Sequence, residues 1–127
     1  MIIDIHTHID EEQHLQSYLK KTKGRVDLAL VLHWYKDDLR TLRKFIDSKP
    51  ELRLIAGLNI DSPKHIEEQL AGLEVLLKEK RIVGLKLYPG YQHFFASDQK
   101  VFPVAKLCLK YNSPLVIHSG DVYDLDK

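Results

Sequence analysis

The chain opens Met1-Ile2-Ile3-Asp4-Ile5-His6-Thr7-His8-Ile9, β-branched residues interrupted at alternate positions by polar ones, and this predicts a strand over Ile2 to Ile9. Successive side chains of a strand alternate between two faces. Ile3, Ile5, Thr7 and Ile9 then share one face, expected to pack against helices, while Asp4, His6 and His8 share the other. The two imidazoles fall one strand repeat apart, roughly 7 Å along the backbone, close enough for one ring nitrogen of each to reach a single metal ion. Imidazole is the commonest side-chain ligand for zinc and related divalent metals. The plain alternative is an edge strand with two solvated histidines. An isoleucine face opposite a carboxylate and two histidines is an odd way to build such an edge.

The rest of the chain repeats one pattern. Glu11 to Thr22 predicts a helix with Leu15, Tyr18 and Leu19 on one stripe, ended by Gly24. Val26 to Leu32 is a continuous apolar run, the mark of a strand covered on both faces. A helix over Lys36 to Ser48, with Leu39, Leu42, Phe45 and Ile46 facing inward, stops before Pro50. Leu52 to Ile60 is the third strand, and Ser62-Pro63 caps and starts a helix lined by Ile66, Leu70, Leu73 and Leu77. Ile82 to Tyr88 is the fourth strand. Pro89-Gly90 and an aromatic loop follow, and then a helix capped by Ser97 or Asp98 with Val101, Val104, Ala105, Cys108 and Tyr111 on its face. Asn112-Ser113-Pro114 turns into a fifth strand, Leu115 to His118. Strands alternating with helices at a repeat of about 30 residues imply a parallel sheet with right-handed crossovers. Such repeats make (β/α)8 barrels, at roughly 250 residues for eight units. The expected fold is therefore α/β, of TIM-barrel type, with about five of the eight strands present, residues 1–127 forming one domain. A five-stranded doubly wound sheet is the competing topology. It would place strand one centrally, and it lacks a glycine-rich phosphate loop.

Bulk properties narrow the function. A length of 127 residues suits one domain with a real core, and 44% hydrophobic with 29% charged residues suits a folded globular chain. A net charge of +1 argues against nucleic acid or an anionic membrane as partner. No apolar run approaches a membrane span, and the N-terminus lacks the pattern of a secretory signal. The single cysteine, Cys108, cannot form an internal disulfide and is expected in the core beside Leu107 and Leu109. A cytoplasmic setting is the expectation.

Function in parallel α/β folds sits at the C-terminal strand ends. Polar residues recur there: His6 and His8, then His33 beside Trp34 and Tyr35, Asn59 and Asp61, Lys86, and His118 before Ser119-Gly120-Asp121. Lys86 can orient an anionic substrate or polarise a carbonyl, or simply snorkel to water. Tyr91 and His93 either line a substrate pocket or form a structural loop cap. His14 and His65, on predicted helices among charges, are expected on the solvated surface. His33 is a packing or supporting group more than a pocket residue.

The motifs Asp4-Ile5-His6-Thr7-His8, Gly84-Leu85-Lys86-Leu87-Tyr88-Pro89 and Val116-Ile117-His118-Ser119-Gly120 together resemble the amidohydrolase superfamily of metal-dependent hydrolases. The branch most alike is the amidohydrolase 2-like group of predicted TIM-barrel metal-dependent hydrolases. The resemblance implies a distorted TIM barrel with one or two divalent metals, zinc first and manganese or iron as alternatives, bound at the C-terminal mouth. It implies His6, His8 and His118 as metal ligands and a small-molecule substrate hydrolysed at a C–N or C–O bond. Decarboxylase and hydratase members also occur. In binuclear relatives the lysine matching Lys86 is carboxylated and bridges two metals; in mononuclear ones it acts otherwise. The family's strand-six histidine and its general-base aspartate on strand eight have no matching position in residues 1–127, and neither Asp121 nor Asp124 is assigned that role. The expectation is thus an incomplete or inactive part of the enzyme. Two other readings compete. A polymerase-and-histidinol-phosphatase-type phosphoesterase also opens with Asp-x-His-x-His, but Gly84 to Pro89 does not suit it. A non-catalytic half-barrel could serve as an assembly module, self-associating through its open strand edges.

Overall fold

Five strands pair in the order in which they occur, β1 (Ile3–Thr7), β2 (Leu28–Leu32), β3 (Leu52–Gly57), β4 (Gly84–Leu87) and β5 (Leu115–Ile117), and every pairing is parallel. The helices α1 (Glu12–Thr22), α2 (Leu39–Ile46), α3 (Pro63–Lys78) and α4 (Phe102–Lys110) are the crossovers, with one 3-10 turn at Gln99–Val101 before α4. The sheet curls into a half-barrel, an incomplete TIM barrel. Its sequential order puts β1 at an edge, which excludes the doubly wound topology. The computed structural model describes residues 1–60 and 63–120; the predicted cap at Ser62 and the residues Asp61, Asp121 and Asp124 lie outside them.

The core lies between the sheet and its helices. Ala29 and Val31 of β2, Leu52, Leu54 and Ala56 of β3, and Leu85 and Leu87 of β4 meet Leu15, Leu42, Ile46, Ile66, Leu73, Leu77, Val104 and Leu107 from the helices. Burying each of these leucine, isoleucine and valine side chains contributes about 1.5–3 kcal/mol, so the predicted helix stripes are what holds the layers together. Cys108 joins them, and burial raises its thiol to about 11, which makes it a core group rather than a nucleophile. Leu109, expected beside it in the core, is exposed.

Of the boundaries that differ from the sequence expectation, two have identifiable causes. The second helix begins at Leu39, not Lys36, because the Asp38 carboxylate accepts from the backbone N–H groups of Arg40 and Thr41, each at 3.2 Å. The third strand is paired only as far as Gly57 and the following Leu58 N–H, which donates to the Lys86 carbonyl at 3.1 Å. Beyond that, glutamine side chains take the place of strands. Gln92 accepts from the Ile60 N–H at 2.7 Å and donates to the Leu58 carbonyl at 2.9 Å. Gln69 accepts from the Asn59 N–H at 3.0 Å and donates to its carbonyl at 2.5 Å. The end of β3 is thereby clamped from both sides.

The first strand departs most from its prediction. Asp4 is in register with Ala29 and Thr7 with Val31, so one extra residue of β1 is accommodated between them. Such a bulge breaks strict alternation. Asp4 consequently faces the helix layer, where its carboxylate accepts from the Tyr18 hydroxyl of α1 at 2.7 Å. Ile3 and Ile5, expected to be buried against helices, are instead 40% and 72% exposed. Ile9 alone of the three isoleucines is buried in the core.

Candidate metal centre

The bulge leaves His6 and His8 together at the C-terminal mouth. Their Nε2 atoms lie 3.2 Å apart, and Lys86 Nζ lies 3.2 Å from the same His6 Nε2. His8 Nδ1 donates to the Leu32 carbonyl at 3.0 Å. A carbonyl oxygen only accepts, so the neutral His8 ring keeps its lone pair on Nε2. If Lys86 donates to His6 Nε2, that atom also presents a lone pair, and two lone pairs face each other. If His6 Nε2 carries the proton instead, it confronts the lysine donors. No proton arrangement with a charged lysine satisfies all three groups. Tetrahedral zinc with nitrogen bonds of 2.0–2.1 Å sets its ligands about 3.3 Å apart, which is close to the separation of this pair.

Lys86 is 1% exposed, and burial lowers its pKa from the ordinary lysine value. Its ammonium lies over the Tyr88 ring at 4.9 Å. The snorkelling alternative is therefore overturned: the side chain points into the fold. Its hydrogen bond goes to an imidazole rather than a carboxylate. A buried cation with no paired carboxylate among the described residues destabilises the fold at neutral pH. Lys86→Met is accordingly expected to stabilise the metal-free chain by about 1–2 kcal/mol; an equal or lower midpoint in urea would contradict this.

His6 and His8 both have lowered pKa values, first through burial and then through the Lys86 charge. His118 follows β5 at the same end of the sheet, where its backbone N–H donates to the Leu87 carbonyl at 3.0 Å. Its Nε2 is buried and has no hydrogen-bond partner among the described residues. A buried polar atom of this kind calls for a partner, and an imidazole nitrogen is able to ligate a metal. Still, no three His, Cys, Asp or Glu side chains among the described residues converge closely enough to hold an ion as they stand. Two donors and a nearby third fit a metal centre in chemical type, with His118 standing off from the pair.

Tyr91 packs its ring on His118 at 4.9 Å between centroids and edge-on to Trp34 at 5.1 Å. Trp34 also meets Tyr35 at 4.6 Å and Tyr88 at 4.7 Å, so four aromatic rings wall one side of the mouth. His93 joins His118, Phe94, Phe95 and Ser119 around an opening of about 770 Å³, large enough for a small molecule. His14 is exposed and ion-paired to Asp10 and Glu11 rather than set beside His6 and His8.

His33 is 3% exposed and serves as a brace. Its Nδ1 accepts from the Gly57 N–H at 3.1 Å, and its Nε2–H donates to the Asp37 carbonyl at 3.0 Å. Both bonds need the neutral ring, and burial holds its pKa below the ordinary imidazole value of 6.5. Stability from this group is complete above pH 6.5 and is lost as pH falls from there through the lower folded-state pKa. In thermal unfolding of the metal-free chain between pH 7.5 and pH 5, His33→Gln should flatten the fall in midpoint. An unchanged slope would count against the brace.

Several site residues carried weak sequence signals. Tyr88 is in phase with Lys86 and could have been placed at the mouth on that ground. Gly57 and Gln92 had no signal, because their roles depend on which strand end each meets.

No family model matches the chain, and no curated protein does. Among solved structures, the chain superposes on the "putative amidohydrolase from Staphylococcus aureus" with a TM-score of 0.74 at 16% identity. The match covers 97% of this chain and 48% of that one, so the chain spans about half its neighbour's length. At this identity the likeness shows the fold alone.

Proposed function

We propose that this half-barrel carries the opening half of the metal centre of an amidohydrolase-like, metal-dependent hydrolase acting on C–N or C–O bonds of a small molecule. The observation that carries the proposal is the pair of Nε2 atoms of His6 and His8, 3.2 Å apart with Lys86 beside them. The amidohydrolase-like fold of the solved neighbour supports it. His6 and His8 would hold one divalent ion, zinc before manganese or iron, with His118 as the third donor. A bound ion of this kind supplies a Lewis acid and a water acidified toward neutrality. Lys86 directs an anionic or carbonyl group of the substrate, or bridges a second ion once carboxylated. Tyr91 and His93 line the substrate side. No aspartate of residues 1–127 is assigned as general base, so turnover is proposed only together with a segment that supplies that carboxylate.

Zinc loading followed by exhaustive dialysis and mass-spectrometric metal analysis tests the reading. About one zinc per chain is expected; a chain that retains none at micromolar concentration would sink it. A second reading has its own observation. Ile3 and Ile5 are exposed on the edge strand β1, and Ile117 on the opposite edge strand β5 is 39% exposed. Open apolar edges favour pairing with another chain, so self-association of half-barrels is the alternative use of the same fold. A concentration-dependent rise in molar mass in metal-free solution would favour it.

A further inference from the structure

We infer that His33 and Tyr88 are positioning residues for His8, fixing through the Leu32 carbonyl which of its two ring nitrogens faces His6. The Leu32 carbonyl accepts from His8 Nδ1 at 3.0 Å. In a parallel ladder such an oxygen ordinarily takes a backbone N–H of the neighbouring strand. Here the β1–β2 register shifts after Asp4 and the pairing ends at Thr7 with Val31. The last carbonyl of β2 is thereby left to a side chain.

What holds that carbonyl in place is the residue after it. The Leu32 C=O and the His33 N–H belong to one planar peptide unit. The His33 N–H donates to the Ile55 carbonyl of β3 at 2.9 Å. The His33 carbonyl accepts from the Tyr88 hydroxyl at 2.5 Å. The His33 ring is tied at both nitrogens, to the Gly57 N–H and the Asp37 carbonyl. His33 and Tyr88 are both buried, so water does not compete for these bonds. Pinned on the β3 side, the peptide unit aims its oxygen at β1. An unrestrained neutral imidazole samples both tautomers, whereas one held against this oxygen keeps its proton on Nδ1 and its lone pair on Nε2.

The tautomer claim stands on hydrogen-bond geometry; only its consequence for metal affinity rests on the proposed metal centre. The test uses the metal-free, nitrogen-15-labelled chain at pH 8.5 and long-range proton–nitrogen correlation of the imidazoles. The wild-type spectrum should show His8 with its proton on Nδ1. Tyr88→Phe and His33→Gln should each move His8 toward a mixture of tautomers and weaken zinc binding about 10–100-fold. Tyr111→Phe removes a part-buried hydroxyl bond to Glu74 at 2.9 Å between α3 and the end of α4, and should change neither readout. A wild-type His8 already in mixed tautomers would overturn the inference without need of any variant. So would an unchanged His8 spectrum in folded Tyr88→Phe and His33→Gln. If the wild type bound no zinc, the metal reading would fall while the tautomer spectra still decided this inference.

Discussion

His8→Ala is expected to lower zinc affinity by on the order of 100-fold or more, beyond the effect of disturbing a supporting group, and His6→Ala to do the same. Each removes one of the two nitrogens that already stand at ligand spacing. His118→Ala should weaken binding less, because His118 does not stand at ligand spacing with the pair. His14→Ala is the matched control: its ring is exposed and ion-paired to Asp10 and Glu11, so binding should be unchanged. Titration with zinc against a competing chelator measures all four. Equal affinity in wild type and His8→Ala would place the metal elsewhere.

Gly57→Ala should be the most damaging small substitution to the fold. A Cβ there would lie 2.4 Å from the His33 carbonyl oxygen, 2.9 Å from a Tyr88 ring carbon and 3.1 Å from the Tyr35 backbone nitrogen. Two of these are backbone atoms and the third belongs to a buried ring, so none can yield cheaply. A loss of about 3 kcal/mol or more is expected, at the upper end for overpacking because the displaced carbonyl also carries the Tyr88 hydroxyl bond. Gly72→Ala provides the opposite sign. A Cβ at that position in α3 meets nothing within 4 Å, and alanine should stabilise the helix by about 0.5–1 kcal/mol. Urea unfolding of the two variants checks both. A Gly57→Ala chain within 1 kcal/mol of wild type would show that the strand ends are looser than this packing implies.

The repeat was legible in the sequence because helix stripes such as Ile66, Leu73 and Leu77 and buried strands such as Leu54 to Ala56 carry their periodicity locally. The polar residues at the strand ends were legible for the same reason: His6, His8, Lys86 and His118 each follow an apolar strand body. The bulge in β1 was not. It depends on how Asp4 and Thr7 register against β2, and it reversed the expected burial of Ile3 and Ile5 while sending Asp4 to Tyr18. Nor could alternation reveal that His33, rather than lining the mouth, ties three strand ends together. That follows from Gly57 and Tyr88 arriving beside it from β3 and from the end of β4. Spacing along the chain finds candidate ligands, but which nitrogen each presents is set by neighbours distant in sequence.

Zinc K-edge X-ray absorption on the zinc-loaded chain tests the central claim most directly. The account predicts at least two imidazole nitrogens at 2.0–2.1 Å and no sulfur, since Cys108 is buried in the core on the helix side of the sheet, with the imidazole signature lost in the His6→Ala, His8→Ala double variant. Sulfur at about 2.3 Å, or an unchanged spectrum in the double variant, would contradict it.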